Sequence, residues 1–394
     1  MKRRAAALCA LSIVSGAIAA APAGAAPPSS VPDAVVALGD SAISGEAGRW
    51  AGNTNGSPSR VDALGSTAYH DVAGGEAIPG CHRSKAAEIH IGGVESRNLA
   101  CSGARTYTQP YSTGSNFKPG LDFYDDGAGH IGQAKALEQY ARTRRVRLVV
   151  VLIGANNFGF ASVVQTCVTD WLTSPSWWKN YCSDDASVTS LFTPTYVDQQ
   201  RQRVIGAFAN VKQAMANAGY AAGDYRLVAQ TYSSPIPRGS GFRYPQTGFT
   251  RQTVGGCGVW NRDADWANDT MVGVLNGVVK DAATAHGLPV FDTQGALAGH
   301  RLCENTVGLL EERGIANWTV PGAADQTEWV SQIRTVTTLV PPYQLQEDLH
   351  PSYWGQLALR NCLRQVYAQN RGGTCRSEGG MDGSEPNMAL GQVS

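Results

Sequence analysis

Arg147-Leu148-Val149-Val150-Val151-Leu152-Ile153 is the stretch on which the fold turns. After its first residue the run is apolar without alternation. A strand of that kind has both faces covered, as in a parallel sheet packed between helices. Three further β-rich runs stand around it, Ala34 to Leu38, Arg226 to Thr231 and Pro289 to Asp292. Between them the period changes. From Val197 to Ala218 the residues Val204, Ala207, Phe208, Val211 and Met215 recur every three or four positions, and Gly219 supplies a stop signal. Trp266 to His286 repeats the scheme with Val274, Leu275, Val278 and Ala282 ahead of Gly287. Strands alternating with helices predict an α/β three-layer sandwich, a mostly parallel central sheet flanked by helices.

Three segments depart from that rhythm. Residues 46 to 80, rich in Gly, Ser, Asn and Asp, and residues 155 to 195, with Trp171, Trp177, Trp178, Cys167 and Cys182, read as long loop insertions over the sheet. Residues 376 to 394 read as a frayed polar tail. That leaves 30 to 375 as one domain, with no internal repeat.

At the N-terminus, Lys2-Arg3-Arg4 precedes an apolar run from Ala5 to Ala21 and a small-residue segment with Ala23 and Ala25 at Ala-x-Ala spacing. Residues 1 to 25 are therefore expected to be a secretory signal peptide and the product to be secreted. Ser12, Ser15 and Gly16 interrupt the run, which argues against a transmembrane segment. Cysteine usage agrees with export. Beyond Cys9, which falls in the leader, there are eight: Cys81, Cys101, Cys167, Cys182, Cys257, Cys303, Cys362 and Cys375. An even number in an oxidising compartment predicts four disulfides. Eight cysteines allow 105 connectivities, of which sequential pairing is the economical expectation. No C-x-x-C or paired Cys/His spacing suggests zinc, so no metal is expected.

Composition excludes other classes. The 394 residues are 43% hydrophobic and 16% charged, against about 25% charged in an average soluble protein, which is no composition for a charged disordered chain. Basic and acidic residues number 32 each and form no long like-charge run, so nothing predicts nucleic-acid binding. Loss of the leader removes three basic residues and leaves 29 against 32, a net charge of −3. A monomer is expected.

The chemistry gathers at strand ends. Gly39-Asp40-Ser41 follows the run Ala34 to Leu38, which puts Ser41 at the C-terminal edge of the sheet, where open α/β folds bind ligands. Alone the triplet reads equally as a turn. Three more segments accompany it: Asn98-Leu99-Ala100-Cys101-Ser102-Gly103-Ala104, Gly154-Ala155-Asn156-Asn157 and Glu347-Asp348-Leu349-His350-Pro351. Each has its own ordinary reading, as a small-residue turn, a helix cap and a helix flank with Pro at the first position.

In this order the four segments resemble the four blocks of the SGNH hydrolases, the GDSL esterases and lipases, over residues 33 to 370. Cys81-His82-Arg83-Ser84 and Gly299-His300-Arg301-Leu302-Cys303 resemble the secreted actinobacterial members. The resemblance implies a flavodoxin-like sandwich and acyl transfer without a cofactor. It makes Ser41 the nucleophile and His350 the general base. The oxyanion donors would be the backbone N–H groups of Ser41 and Gly103 and the side-chain amide of Asn156, with Gly103 letting the backbone approach the substrate. Asn157 departs from the pattern, standing where the family has Asp. The triad acid departs too: Glu347 occupies the family's position three residues before the histidine, Asp348 sits two before, and a backbone carbonyl is a third means of orienting the ring.

The implied substrate is a small-molecule or lipid carboxylic ester. An acetylated polysaccharide is the alternative; Trp171, Trp177 and Trp178 would stack on sugars or line an acyl groove if they are not simply packed under a disulfide-closed loop. A non-catalytic binding protein would not need the Ser/His pair. No G-x-S-x-G elbow points to an ordinary α/β-hydrolase.

Overall fold

A computed structural model describes residues 31–112 and 116–392. The expected signal peptide, residues 1 to 25, lies outside the described residues. The sheet has seven strands: β1 (Asp33–Gly39), β2 (Glu95–Asn98), β3 (Arg145–Leu152), β4 (Arg226–Gln230), β5 (Val290–Asp292), β6 (Gly373–Asp382) and β7 (Glu385–Gly391). Their order is β2-β1-β3-β4-β5-β6-β7, parallel throughout except for the antiparallel β6–β7 pair. The apolar runs explain this arrangement: Ala34 to Leu38 and Leu148 to Leu152 are buried residue after residue, so neither face of the central strands meets water.

Among the helices of the described residues, those that frame the sheet and the site are α1 (Ser41–Ser44), α2 (Gln133–Ala141), α3 (Phe160–Thr173), α4 (Pro194–Asn217), α5 (Val272–His286) and α6 (Tyr353–Gln369). Helix α4 starts where Thr193 caps the Tyr196 N–H with Pro194 in the first turn, and α5 ends on Gly287 in the left-handed region at φ 64°. Helices α2, α4 and α5 pack side by side, while α6 packs on β6 and β7.

Two expectations are corrected. Within 155 to 195 the chain forms α3, whose Val163, Cys167 and Trp171 recur every four residues on a buried face. The interleaved polar residues mask that stripe in the sequence. Residues 376 to 391 are no frayed tail but most of the β6–β7 hairpin, and the expected boundary at 375 falls inside β6. The hairpin is held because Met388 and Leu390 are buried and Glu385 forms ion pairs with Arg364 and Arg360.

The cysteines pair sequentially, Cys81–Cys101, Cys167–Cys182, Cys257–Cys303 and Cys362–Cys375. Residues 46 to 80 stay irregular apart from the short turns Pro58–Arg60 and Gly65–Thr67. No helix among the described residues is long and apolar enough to cross a membrane.

Candidate active site

Strand order decides where a site can form. Between β1 and β3 the connections leave in opposite directions along the sheet, and the crevice outside the strand ends opens there. Ser41 follows β1, Asn156 follows β3, and Gly103 follows β2 on the far side of β1.

The turn under Ser41 is built by its neighbours. Gly39 has φ 139°, and a Cβ there would lie 1.9 Å from the Leu152 carbonyl oxygen, so only glycine fits. Asp40 caps α1 by accepting the Ala42 N–H at 3.2 Å. Gln133 holds both sides of Gly39, accepting from its N–H and donating to its carbonyl, each at 2.8 Å.

His350 Nε2 lies 2.6 Å from Ser41 Oγ. On the other side of the ring, Nδ1 lies 3.0 Å from the backbone carbonyl of Asp348. A carbonyl only accepts, so Nδ1 carries the proton and the Nε2 lone pair faces the serine hydroxyl. Burial lowers the pKa of His350, while the buried carboxylate of Glu46 opposes the shift.

Neither expected acid takes the orienting place, and this corrects the spacing argument for Glu347. Its carboxylate accepts from Tyr69 OH at 2.6 Å, from Trp50 Nε1 at 2.8 Å and from the Gln344 N–H at 3.0 Å. Asp348 accepts the Arg334 N–H at 2.9 Å, and burial pushes its carboxyl up to about 8. The 3₁₀ turn Leu345–Glu347 directs both side chains into the surrounding loops and leaves a carbonyl under the imidazole.

Asn156, which lines the same cleft, donates through Nδ2 to the Ala104 carbonyl at 2.9 Å, which leaves its second amide hydrogen for another acceptor. Among the described residues, the backbone N–H groups of Ser41 and Gly103 have no hydrogen-bond partner. Gly103 sits at φ 77°, a conformation that favours glycine. Asn157 links two turns through both ends of its amide. It accepts the Thr106 N–H at 3.1 Å and donates to Thr106 Oγ1 at 2.8 Å.

No family model and no curated protein matches the chain. Solved structures with a similar fold do exist. The extracellular lipase of Streptomyces rimosus is 17% identical, covering 82% of this chain and 94% of its own, at a TM-score of 0.42. Phospholipase A1 of Streptomyces albidoflavus is 19% identical, covering 86% and 99%, at 0.46. A carbohydrate acetylesterase of Sinorhizobium meliloti is 10% identical, covering 86% and 99%, at 0.36. None of these three reaches 0.5, and the reading of the site rests on its own geometry.

Sequence reasoning missed the groups that brace this geometry. Tyr232, just beyond β4, donates to Asp40 Oδ2 at 2.5 Å and accepts the Ala155 N–H at 2.9 Å, so one phenol joins the Ser41 turn to the Asn156 turn. Burial pushes the Asp40 carboxyl up to about 7, and the Tyr232 hydrogen bond holds it down in part. Arg83 donates to the carbonyls of Ala100 and Leu99 and so fixes the Gly103 loop. Position at the C-terminal end of a strand was the available signal for Tyr232; for Arg83 it was its place in the segment Cys81-His82-Arg83-Ser84, which suggests no role by itself.

His82 pairs through Nδ1 with Glu46, and His300 stacks on Trp329 at 3.7 Å. Trp171 is buried against Trp260, whereas Trp177 and Trp178 are 82% and 73% exposed. Among the described residues no cluster of His, Cys, Asp and Glu could hold a metal ion.

Proposed function

We propose that the chain is an exported serine ester hydrolase of the SGNH type, cleaving carboxylic esters through an acyl-enzyme on Ser41. The observation that carries this reading is the 2.6 Å contact between Ser41 Oγ and His350 Nε2, in a cleft that Asn156 also lines.

His350 Nε2 takes the hydroxyl proton as Ser41 Oγ attacks the ester carbonyl carbon. Negative charge forms on the carbonyl oxygen, where the Ser41 and Gly103 N–H groups and the free amide hydrogen of Asn156 can meet it. The imidazolium returns its proton to the departing alkoxide, and the alcohol leaves. Water, deprotonated by the same nitrogen, then attacks the acyl-enzyme and frees the acid. Throughout, the Asp348 carbonyl holds the ring, and Glu46 offsets part of the cost of charging it. Four disulfides and the leader-like N-terminus support function outside the cytoplasm.

Purified protein is assayed on p-nitrophenyl esters beside Ser41→Ala and Asn156→Ala. Removal of the hydroxyl should leave less than about 1% of the activity, and removal of the amide should lower kcat by about 10² to 10³ with little change in KM. Ester hydrolysis that survives Ser41→Ala defeats the proposal.

A further inference from the structure

Just beyond α1 the chain buries a charge. Glu46 is fully buried, and its N–H donates to the Ser41 carbonyl at 3.2 Å, so the turn that carries the nucleophile also carries this carboxylate. Oε1 accepts the Nδ1–H of His82, while Oε2 has no hydrogen-bond partner among the described residues. A buried carboxylate with one oxygen unpartnered is unfavourable, and it calls for a reason beyond packing.

His82 is held beside it from several directions. Its backbone sits at φ 48°, a conformation uncommon for a residue with a side chain. Glu76 accepts its N–H at 3.1 Å, and Tyr69 stacks on its ring at 4.7 Å. Ser44 Oγ, with one hydrogen to share, lies 2.9 Å from the Ser41 carbonyl oxygen and 3.3 Å from that of His82, which joins the two turns. Tyr69 donates in turn to Glu347 at 2.6 Å, so the same stack reaches the His350 loop. Burial works against the charged form of His82, but the Glu46 carboxylate outweighs it and raises the pKa above 6.5.

The imidazolium that forms at His350 needs a countercharge, and the Asp348 carbonyl that orients the ring is a dipole without net charge. Glu347 is already engaged with Tyr69, Trp50 and the Gln344 N–H. Asp348 accepts the Arg334 N–H, and with its carboxyl pushed up to about 8 by burial it is largely uncharged at neutral pH. Glu46 remains, with an oxygen uncommitted. Burial lowers the pKa of His350, and of the charged groups around the ring Glu46 does most to raise it again.

Resting on the reading of Ser41 and His350 as nucleophile and base, we propose that Glu46 supplies through space the negative charge that a triad acid supplies by contact, and that His82 keeps Glu46 ionised and in place. Both are positioning residues, and neither lines the cleft. The Ser41 proton moves to His350 Nε2 and from there to the leaving alkoxide; none passes to Glu46. The imidazolium therefore forms in the field of a carboxylate fixed before the reaction begins. The carboxylates of Glu76 and Glu347, the phenol of Tyr69 and the ammonium of Lys118 face the pair, and Asp348 and Arg334 face the His350 loop. All six are the same in wild type and in variants at Glu46, so the difference between them reads the Glu46 charge.

The test is hydrolysis of p-nitrophenyl acetate from about pH 4.5 to 9 by wild type, Glu46→Gln, Glu46→Asp and His82→Gln. Glutamine keeps the shape and an acceptor for His82 but removes the charge. In Glu46→Gln, kcat should fall about 10- to 100-fold with KM changed less than about threefold. The acid limb of kcat/KM should move down by about half a pH unit or more, because the imidazolium has lost its countercharge. Glu46→Asp, which restores the charge, should move both readings back toward wild type. His82→Gln should lose activity near pH 6 and regain it toward pH 9, as the buried carboxyl of Glu46 ionises without help. It carries the test from the other partner if Glu46→Gln does not fold. A Glu46→Gln enzyme with kcat within about threefold of wild type and an unmoved acid limb overturns the proposal. So does a His82→Gln loss that is the same at every pH, or a lowered thermal midpoint as the only change. Ser41→Ala separates the two ideas: if it abolishes hydrolysis while Glu46→Gln changes nothing, only the countercharge fails, and if hydrolysis persists in it, the reading of the site fails first.

Discussion

At the scale of single residues, His350 is oriented by a backbone carbonyl, and two consequences follow. Glu347→Gln and Asp348→Asn should each retain kcat within about tenfold of wild type, whereas loss of a true triad acid costs about 10⁴. Because burial holds His350 below its ordinary 6.5, it stays neutral further into the acid range. The acid limb of kcat/KM should then have its midpoint below pH 6.5, with activity rising as pH rises through it, and Asp348→Asn should not displace it. A midpoint above 6.5, or a collapse of kcat in either variant, contradicts this. Tyr232→Phe removes the phenol that spans Asp40 and Ala155. It should lower kcat by about 10- to 100-fold while KM changes less than about threefold, since the bond sets the spacing of nucleophile and oxyanion donor rather than touching substrate. A purely structural role would instead lower the thermal midpoint and leave kcat of the folded protein alone. Ser41 and Asn156 were legible because their motifs occupy strand ends, and His350 because its segment stands directly before a helix. The orienting group was not, for a carbonyl has no residue signature and spacing favours whichever carboxylate happens to be near.

Elements were legible where a period was strong and unbroken. The run Leu148 to Leu152 and the stripe from Val204 to Met215 report burial directly. Helix α3 was hidden because the exposed Gln165 and Thr169 and the half-buried Thr166, residue types common in loops, stand between the members of its buried stripe. The hairpin was hidden because β6 alternates exposed polar residues with glycines, and its hold on the body depends on Met388, Leu390 and Glu385, near the end of the chain. Deletion of 376 to 394 should therefore destabilise the fold. The two apolar side chains alone contribute about 3 to 6 kcal/mol by burial, and the retained Cys362–Cys375 bond cannot replace them. Thermal unfolding of the truncated chain should show a midpoint several degrees lower, and an unchanged midpoint would return these residues to the status of a tail.

For the whole molecule, the parallel sheet brings together segments that are far apart in sequence. Ser41 and His350 are separated by 309 positions, yet meet at 2.6 Å because β1 ends at the crevice and the loop before α6 crosses it. Disulfides Cys81–Cys101 and Cys257–Cys303 close two of the long loops. The fold class followed from alternation of strands and helices. The shape of the cleft did not, because it depends on which loops pack over the strand ends, and their order in space is not written in any local pattern. Catalysis by this site requires that Ser41 be an activated nucleophile. The most direct measurement is reaction with a fluorophosphonate ester followed by intact-mass and peptide mass spectrometry. One adduct per chain is predicted, on the peptide containing Ser41, absent in Ser41→Ala and strongly slowed in His350→Gln. A folded protein that stays unlabelled, or that carries its adduct on another residue, contradicts it.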